Sequence, residues 1–289
     1  MLNALVQAQD AIARLEAATE VASGAVREGA GARLAFREAS GWLAHQGVWV
    51  HPVDLALRAA GITGSVEAGR LGVRLPSILP ATAVRDGGGV DDRDVTAALR
   101  HAVVTQRLRS LRTWSPELSV GLPAEDGTPA LLAAVRLVAA GGGARFSADS
   151  VLAAAVLWRG RGGTGDPGLP VWSAPVGRLQ QAALAADPVP VLLGAIAEAA
   201  LGARRELARL VAVEARGREV GVTVRSSFGA ALEVVLRRPV VTARMVGEAI
   251  GVSPRAGSML LDRMRGAGLL REATGRKSWR AFVIAWERL

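Results

Sequence analysis

Residues 241–286 hold the feature that most restricts how this chain can fold: two helix starts separated by one glycine stop. Thr242 can open the first helix, because its hydroxyl can accept from the free N–H groups of the first turn. Val246, Ala249 and Ile250 recur at helical spacing and predict one buried side. Gly251 ends the helix, since glycine takes a left-handed turn without a side-chain clash. Ser253-Pro254 then opens a second helix, with the hydroxyl satisfying an orphan donor and the proline ring pre-setting φ. This helix should run from 254 to about 265. Leu260, Leu261 and Met264 should face inward, with Gly257 allowing close contact with the first helix. Arg255, Ser258, Met259 and Asp262 fall on the other side.

Two helices joined by a short glycine-containing turn form a helix-turn-helix, whose second helix can enter a major groove. The residues that follow supply a wing. Gly268 closes the second helix, 269–272 predicts one strand and 279–284 another. The turn Thr274-Gly275-Arg276-Lys277 between them carries two positive charges, well placed for phosphate or a minor groove. Charge supports a nucleic-acid partner. Residues 228–289 hold eleven arginines and lysines against five carboxylates, a surplus of six within the chain's +9. A concentration of that kind is the mark of a nucleic-acid binder. A winged helix can also serve as a protein-interaction or dimerisation module.

The predicted class is mainly α: an all-helical N-terminal body followed by a C-terminal winged helix-turn-helix. Half of the 289 residues are hydrophobic, yet few are aromatic and tyrosine is absent. The apolar bulk is Ala, Leu and Val, which suits helices. With no cysteine, a disulfide scaffold, a thiolate metal site and a cysteine nucleophile are excluded. The first twenty residues carry charges and helical amphipathicity, unlike a signal peptide, and no run of eighteen uncharged apolar residues suggests a membrane span. The expected compartment is the cytoplasm.

Three regions are expected: 1–84, helical; 90–220, a helical body with an exposed Gly/Pro loop at 160–177; and 226–289, the winged helix. Within them, 5–21 reads as an amphipathic helix with Leu5, Ala8, Ile12, Leu15 and Ala18 on one side. A glycine-bearing break at 23–31 precedes a helix at about 32–45, and Pro52 starts a third helix through Ala60. Further helices are expected from Asp91–Asp94 to Leu111, at 129–140, at 147–158 and at 188–218.

Enzyme chemistry finds little support. Gly160, Gly162, Gly163 and Gly165 suggest a phosphate loop, but no Lys-Ser or Lys-Thr follows and no βαβ pattern surrounds them. His45 and His51 lack the partners of a zinc site. Asp91 and Asp94 suit helix capping, and no G-x-S-x-G elbow is present. No catalytic residue, cofactor or metal is expected.

The C-terminal RRPVVTARMVGEAIGVSPRAGSMLLDRMRGAGLLREATGRKSWRAFVI resembles the closing domain of a plasmid-associated bacterial family that pairs a domain of unknown function with a helix-turn-helix domain. VREGAGARLAFREASGWLAHQGVWVHPVDLALRAAG and SADSVLAAAVLWRGRGGTGDPGLPVWSAPVGRL are similar to earlier parts of that family. The resemblance implies DNA binding through the matching C-terminal positions. The front part is distantly similar to Fic-type proteins, which transfer AMP to hydroxyl side chains through an HPFxxGNGR-like motif. The corresponding RFSADSVLAAAVLWRG has no histidine, so the resemblance implies a helical body without an AMP-transferase site.

Together these readings predict a DNA-binding transcriptional regulator, with Arg255, Ser258, Met259 and Asp262 facing base edges and Ser253 at the helix start; Met259 could equally be a core residue, and Asp262 could instead orient Arg255 or Arg265. Arg244, Arg263, Arg276, Lys277 and Arg280 are expected on phosphates. Double-stranded DNA is the expected partner. A homodimer is expected because one recognition helix covers only a half-site. The rival readings are a degenerate nucleotide-dependent enzyme with a DNA-binding tail, and a winged helix that binds a protein. The sequence names no small-molecule effector.

Overall fold

The computed structural model describes residues 1–45, 50–60, 62, 129–140, 176–221, 227–275 and 280–285. The helices expected after Asp91 and at 147–158, the loop at 160–177 except its last two residues, and Arg276 and Lys277 lie outside the described residues. The protein is mainly helical, with one small antiparallel sheet. The described residues belong to two compact units, Met1–Ala22 with His101–Leu207, and Ser23–Arg100 with Ala208–Leu289.

The first unit contains α1 (Leu2–Glu20), α4 (Ala130–Ala140), α5 (Val176–Leu184) and the first part of α6 (Pro188–Val220). Leu5, Ala8, Ala11, Ile12 and Leu15 of α1 are buried, as the apolar spacing predicts, and α1 packs against α4. Thr19 is buried where Ala18 was expected. Its hydroxyl donates to the Leu15 carbonyl at 2.8 Å, which satisfies it within its own helix.

The second unit carries α2 (Gly24–His45), α3 (Pro52–Ala59), the rest of α6, α7 (Phe228–Arg237), β1 (Val241–Thr242), α8 (Ala243–Ile250), α9 (Pro254–Gly266), β2 (Leu270–Glu272) and β3 (Ala281–Ile284). The break expected at 23–31 is instead the first turns of α2. Helix α2 packs against α7, and a Cβ on Gly29 would collide with the Leu236 carbonyl oxygen. Glycine here serves a close approach between helices, a tertiary reason that outweighs its low helix propensity.

Arg33, one turn further along α2, spans the same contact. Its Nη1 donates to Gly29 O (3.0 Å) and Leu236 O (2.7 Å), and its Nη2 to Val235 O (3.1 Å) and Arg238 O (2.8 Å). The last carbonyls of a helix have no partner within it, so Arg33 satisfies the end of α7 from outside. Glu28 adds an ion pair to Arg237 at 3.1 Å.

The sheet has the order β1-β3-β2, with Val241 opposite Phe282 and Arg271 opposite Val283. Strands were expected at 269–272 and 279–284; the two-residue β1 was not foreseen. Every residue of β3 is buried. Alternation along the strand puts Ala281 and Val283 on one face, where they join Val240, Ala273, Ala56 and Leu57 in one core cluster. Helix α3 thus covers the back of the wing sheet. His51 caps α3, its Nδ1 accepting from Val53 N at 3.2 Å.

Candidate nucleic-acid interface

The helix-turn-helix is built as its local signals require. Thr242 Oγ1 accepts from Met245 N and Ser253 Oγ from Ala256 N, each at 3.2 Å. Gly251 has φ of 72°, a left-handed turn that glycine adopts without strain. Val246, Leu261 and Met264 are fully buried. Two expectations need correcting. Ala249 is exposed and Ile250 only half-buried, and Leu260 is half-buried too. The inner side of α8 is centred instead on Val246 and Gly247, because α9 crosses very close there. A Cβ on Gly257 would run into the Ala243 carbonyl oxygen and would meet Gly247 N at 3.3 Å. Helices in such contact bury a narrow stripe, which leaves Ala249 outside it.

At about 100° per residue, Ser258, Asp262, Arg255, Met259 and Arg263 occupy one arc of α9. Arg255 is exposed in the first turn and has no partner among the described residues. A cation there opposes the helix dipole, which favours negative charge at that end. Met259, one turn on, is 68% exposed and so is not a core residue. Ser258 is half-buried beside it. Ser253 is exposed, and while its oxygen accepts from Ala256 N its hydroxyl proton is left to donate.

Asp262 and Arg280 bind each other. Arg280 Nη2 donates to Asp262 Oδ1 at 2.9 Å, its Nη1 to Oδ2 at 3.3 Å, and its Nε to Glu272 Oε2 at 3.0 Å. Arg265 Nη2 lies 3.3 Å from the same Asp262 carboxylate. The Asp262 bond above all, then Glu272, raises the Arg280 pKa against the opposing effect of burial. The guanidinium also stacks over Phe282, 4.9 Å from the ring centroid. Asp262 and Arg280 therefore fasten the recognition helix to the wing strands, and this electrically balanced cluster stands where a base reader and a phosphate contact were expected. The alternative that Asp262 orients Arg265, three residues on along the same helix, is the one found, whereas Glu272 was not singled out because it joins the cluster from the wing.

Of the other cations, Arg263 donates to Val220 O at 3.0 Å and lies 5.1 Å from the centroid of Phe228. Arg244 is fully exposed and pairs with Glu248 one turn along, at 2.7 Å. That contact raises its pKa, first through the hydrogen bond and then through charge. Such an exposed pair opens at little cost when a phosphate competes.

Against this geometry the comparison with known families is decisive. Residues 228–285 match the family described as an HTH DNA binding domain. The match implies DNA binding, with DNA as a partner of this domain. It covers α7, α8, α9 and the three strands, and stops short of α2 and α3, which pack directly on them. No curated protein matches the chain. Among the described residues no helix is long and apolar enough to cross a membrane.

Proposed function

We propose that the protein is a non-catalytic, sequence-specific transcriptional regulator that binds operator DNA as a homodimer. The N-terminal half of α9 lies in the major groove, and each protomer reads one half of a palindrome. The observation that carries this reading is Arg255: an exposed guanidinium, without a partner among the described residues, on the outer arc of the second helix of an HTH domain, in the turn where its charge is least favourable for the isolated fold. Its fork fits guanine O6 and N7. Arg244, Arg263, Arg276 and Lys277 are assigned to phosphates, and Arg280 to holding the wing.

The test is selection of binding sites by the full chain from a random duplex library, followed by titrations at several salt concentrations. The expected outcome is a palindromic site, with Arg255→Ala weakening binding roughly 10- to 100-fold and relaxing the preference for one guanine. Removing Lys277 should instead flatten the dependence of log K on log salt by about one unit and leave the preference intact. Equal affinity for selected and scrambled duplexes would end the sequence-specific reading.

A further inference from the structure

On the basis of this DNA-binding reading, we propose that Met259 reads the 5-methyl group of a thymine in the major groove, beside the base pair contacted by Arg255. Among the described residues of 228–285, Met259 is the one large apolar side chain left exposed, at 68%. It sits on the polar arc of α9, with Arg255 one turn before it, Arg263 one turn after it and Ser258 adjacent. Its neighbours α8 and β2 pack on other sides of α9, so no described core receives it.

Docking of a second protein is the weaker account. A single thioether flanked by two guanidinium groups is not a contiguous apolar patch, and protein interfaces rely on such patches. The major groove of DNA, by contrast, offers an apolar feature of matching size, the C5 methyl of thymine, set among hydrogen-bonding edges. Methionine suits it, being unbranched, polarisable and able to adjust its rotamers to the contact. The spacing fits as well. Four residues of helix advance about 6 Å, against a rise of about 3.4 Å per base pair, so the methyl lies one or two base pairs from the guanine read by Arg255.

With Asp262 held by Arg280 and Arg265, base reading on this arc falls to three side chains: Arg255, Ser258 and Met259. Of these, only Met259 senses a methyl group. The same contact accepts 5-methylcytosine and rejects uracil, because recognition depends on the methyl carbon and not on the pairing edge.

The experiment uses the full chain and duplexes selected from a random library, with each thymine replaced singly by uracil. Uracil removes one methyl group and keeps the base pair. The wild type should lose about fourfold in affinity at one position per half-site, the equivalent of one apolar carbon returned to water. Met259→Ala should bind the thymine and uracil duplexes equally, and Met259→Leu should keep part of the difference. Thermal unfolding of both variants should match the wild type, since the side chain is exposed. A wild type indifferent to every uracil, or a Met259→Ala variant that keeps the same uracil penalty, overturns the proposal while leaving DNA binding intact. Failure of the chain to retain any duplex in the selection overturns the DNA-binding reading itself, and this proposal with it.

Discussion

Replacing Arg33 by methionine keeps an apolar stem of similar length and deletes every guanidinium donor. Four hydrogen bonds of 2.7–3.1 Å are lost, three of them to carbonyls at the end of α7. Val235 and Leu236 are 2% and 0% exposed, so water cannot readily replace the guanidinium at their carbonyls. A hydrogen bond from a charged donor contributes about 1.5–3 kcal/mol, and a buried acceptor left unsatisfied costs about 1–3 kcal/mol. These terms overlap, because one guanidinium serves all four acceptors. The half-buried setting of Arg33 reduces them further. The expected loss is therefore about 2–4 kcal/mol. Arg33→Lys should recover less than half of it, since an ammonium cannot span carbonyls on two sides as the planar fork does. Urea unfolding followed by circular dichroism measures the effect, and DNA binding below the transition should change little, because Arg33 acts on the fold and not on the groove. A methionine variant within 0.5 kcal/mol of wild type, a margin typical of neutral surface substitutions, would refute the reasoning.

Two further outcomes follow from contacts described above. Gly257→Ala gains about 1 kcal/mol of helix propensity but drives a Cβ into the Ala243 carbonyl, an overpacking that costs about 1–3 kcal/mol. Unfolding by denaturant should show a net loss, and a stabilised variant would contradict the α8–α9 contact. His51 gives a pH dependence. Burial, opposed by Asp54 and assisted by Arg271, lowers its pKa below the ordinary 6.5, so the unfolded chain takes up this proton first as pH falls. Its contribution is complete above pH 6.5 and declines below it, as protonation removes the Nδ1 cap on Val53. Burial raises Asp54 above its ordinary 3.8, against the opposing charges of His51 and Arg58, and this works in the opposite sense at lower pH. There the folded chain holds the extra proton, so stability falls as pH rises through the Asp54 titration. Melting temperatures of His51→Asn and wild type should therefore diverge as pH drops from about 7 toward 5, and parallel curves would exclude His51 as the source.

The parts of the fold that were legible in the sequence are those governed by neighbours in the chain. Thr242, Gly251 and Ser253-Pro254 set the limits of α8 and α9 because capping and left-handed turns are decided within four residues. Pro52 and the apolar spacing of α1 worked for the same reason. What stayed hidden depends on partners far away in sequence. Gly29 looked like a helix breaker because the carbonyl it approaches belongs to Leu236. Ala249 looked like a core residue because the closeness of α8 and α9, which Gly257 permits, cannot be measured from spacing. At the interface, Met259 read equally as core or as surface until its exposure decided it, and Arg255 was legible as the outer side of a helix. The engagement of Asp262 with Arg280 was not, since it needs the wing to fold back onto α9.

The bond between Arg33 and Leu236 also sets an order in time. Its partners lie 203 positions apart, and a ribosome adds about 5–20 residues per second, so Arg33 is made some 10–40 s before the helix end it will hold. During that interval α2 can pack on α3 but not on α7, however quickly its own turns form. A chain interrupted between residues 33 and 235 carries the clasp but not the helix-turn-helix, and cannot bind DNA through it.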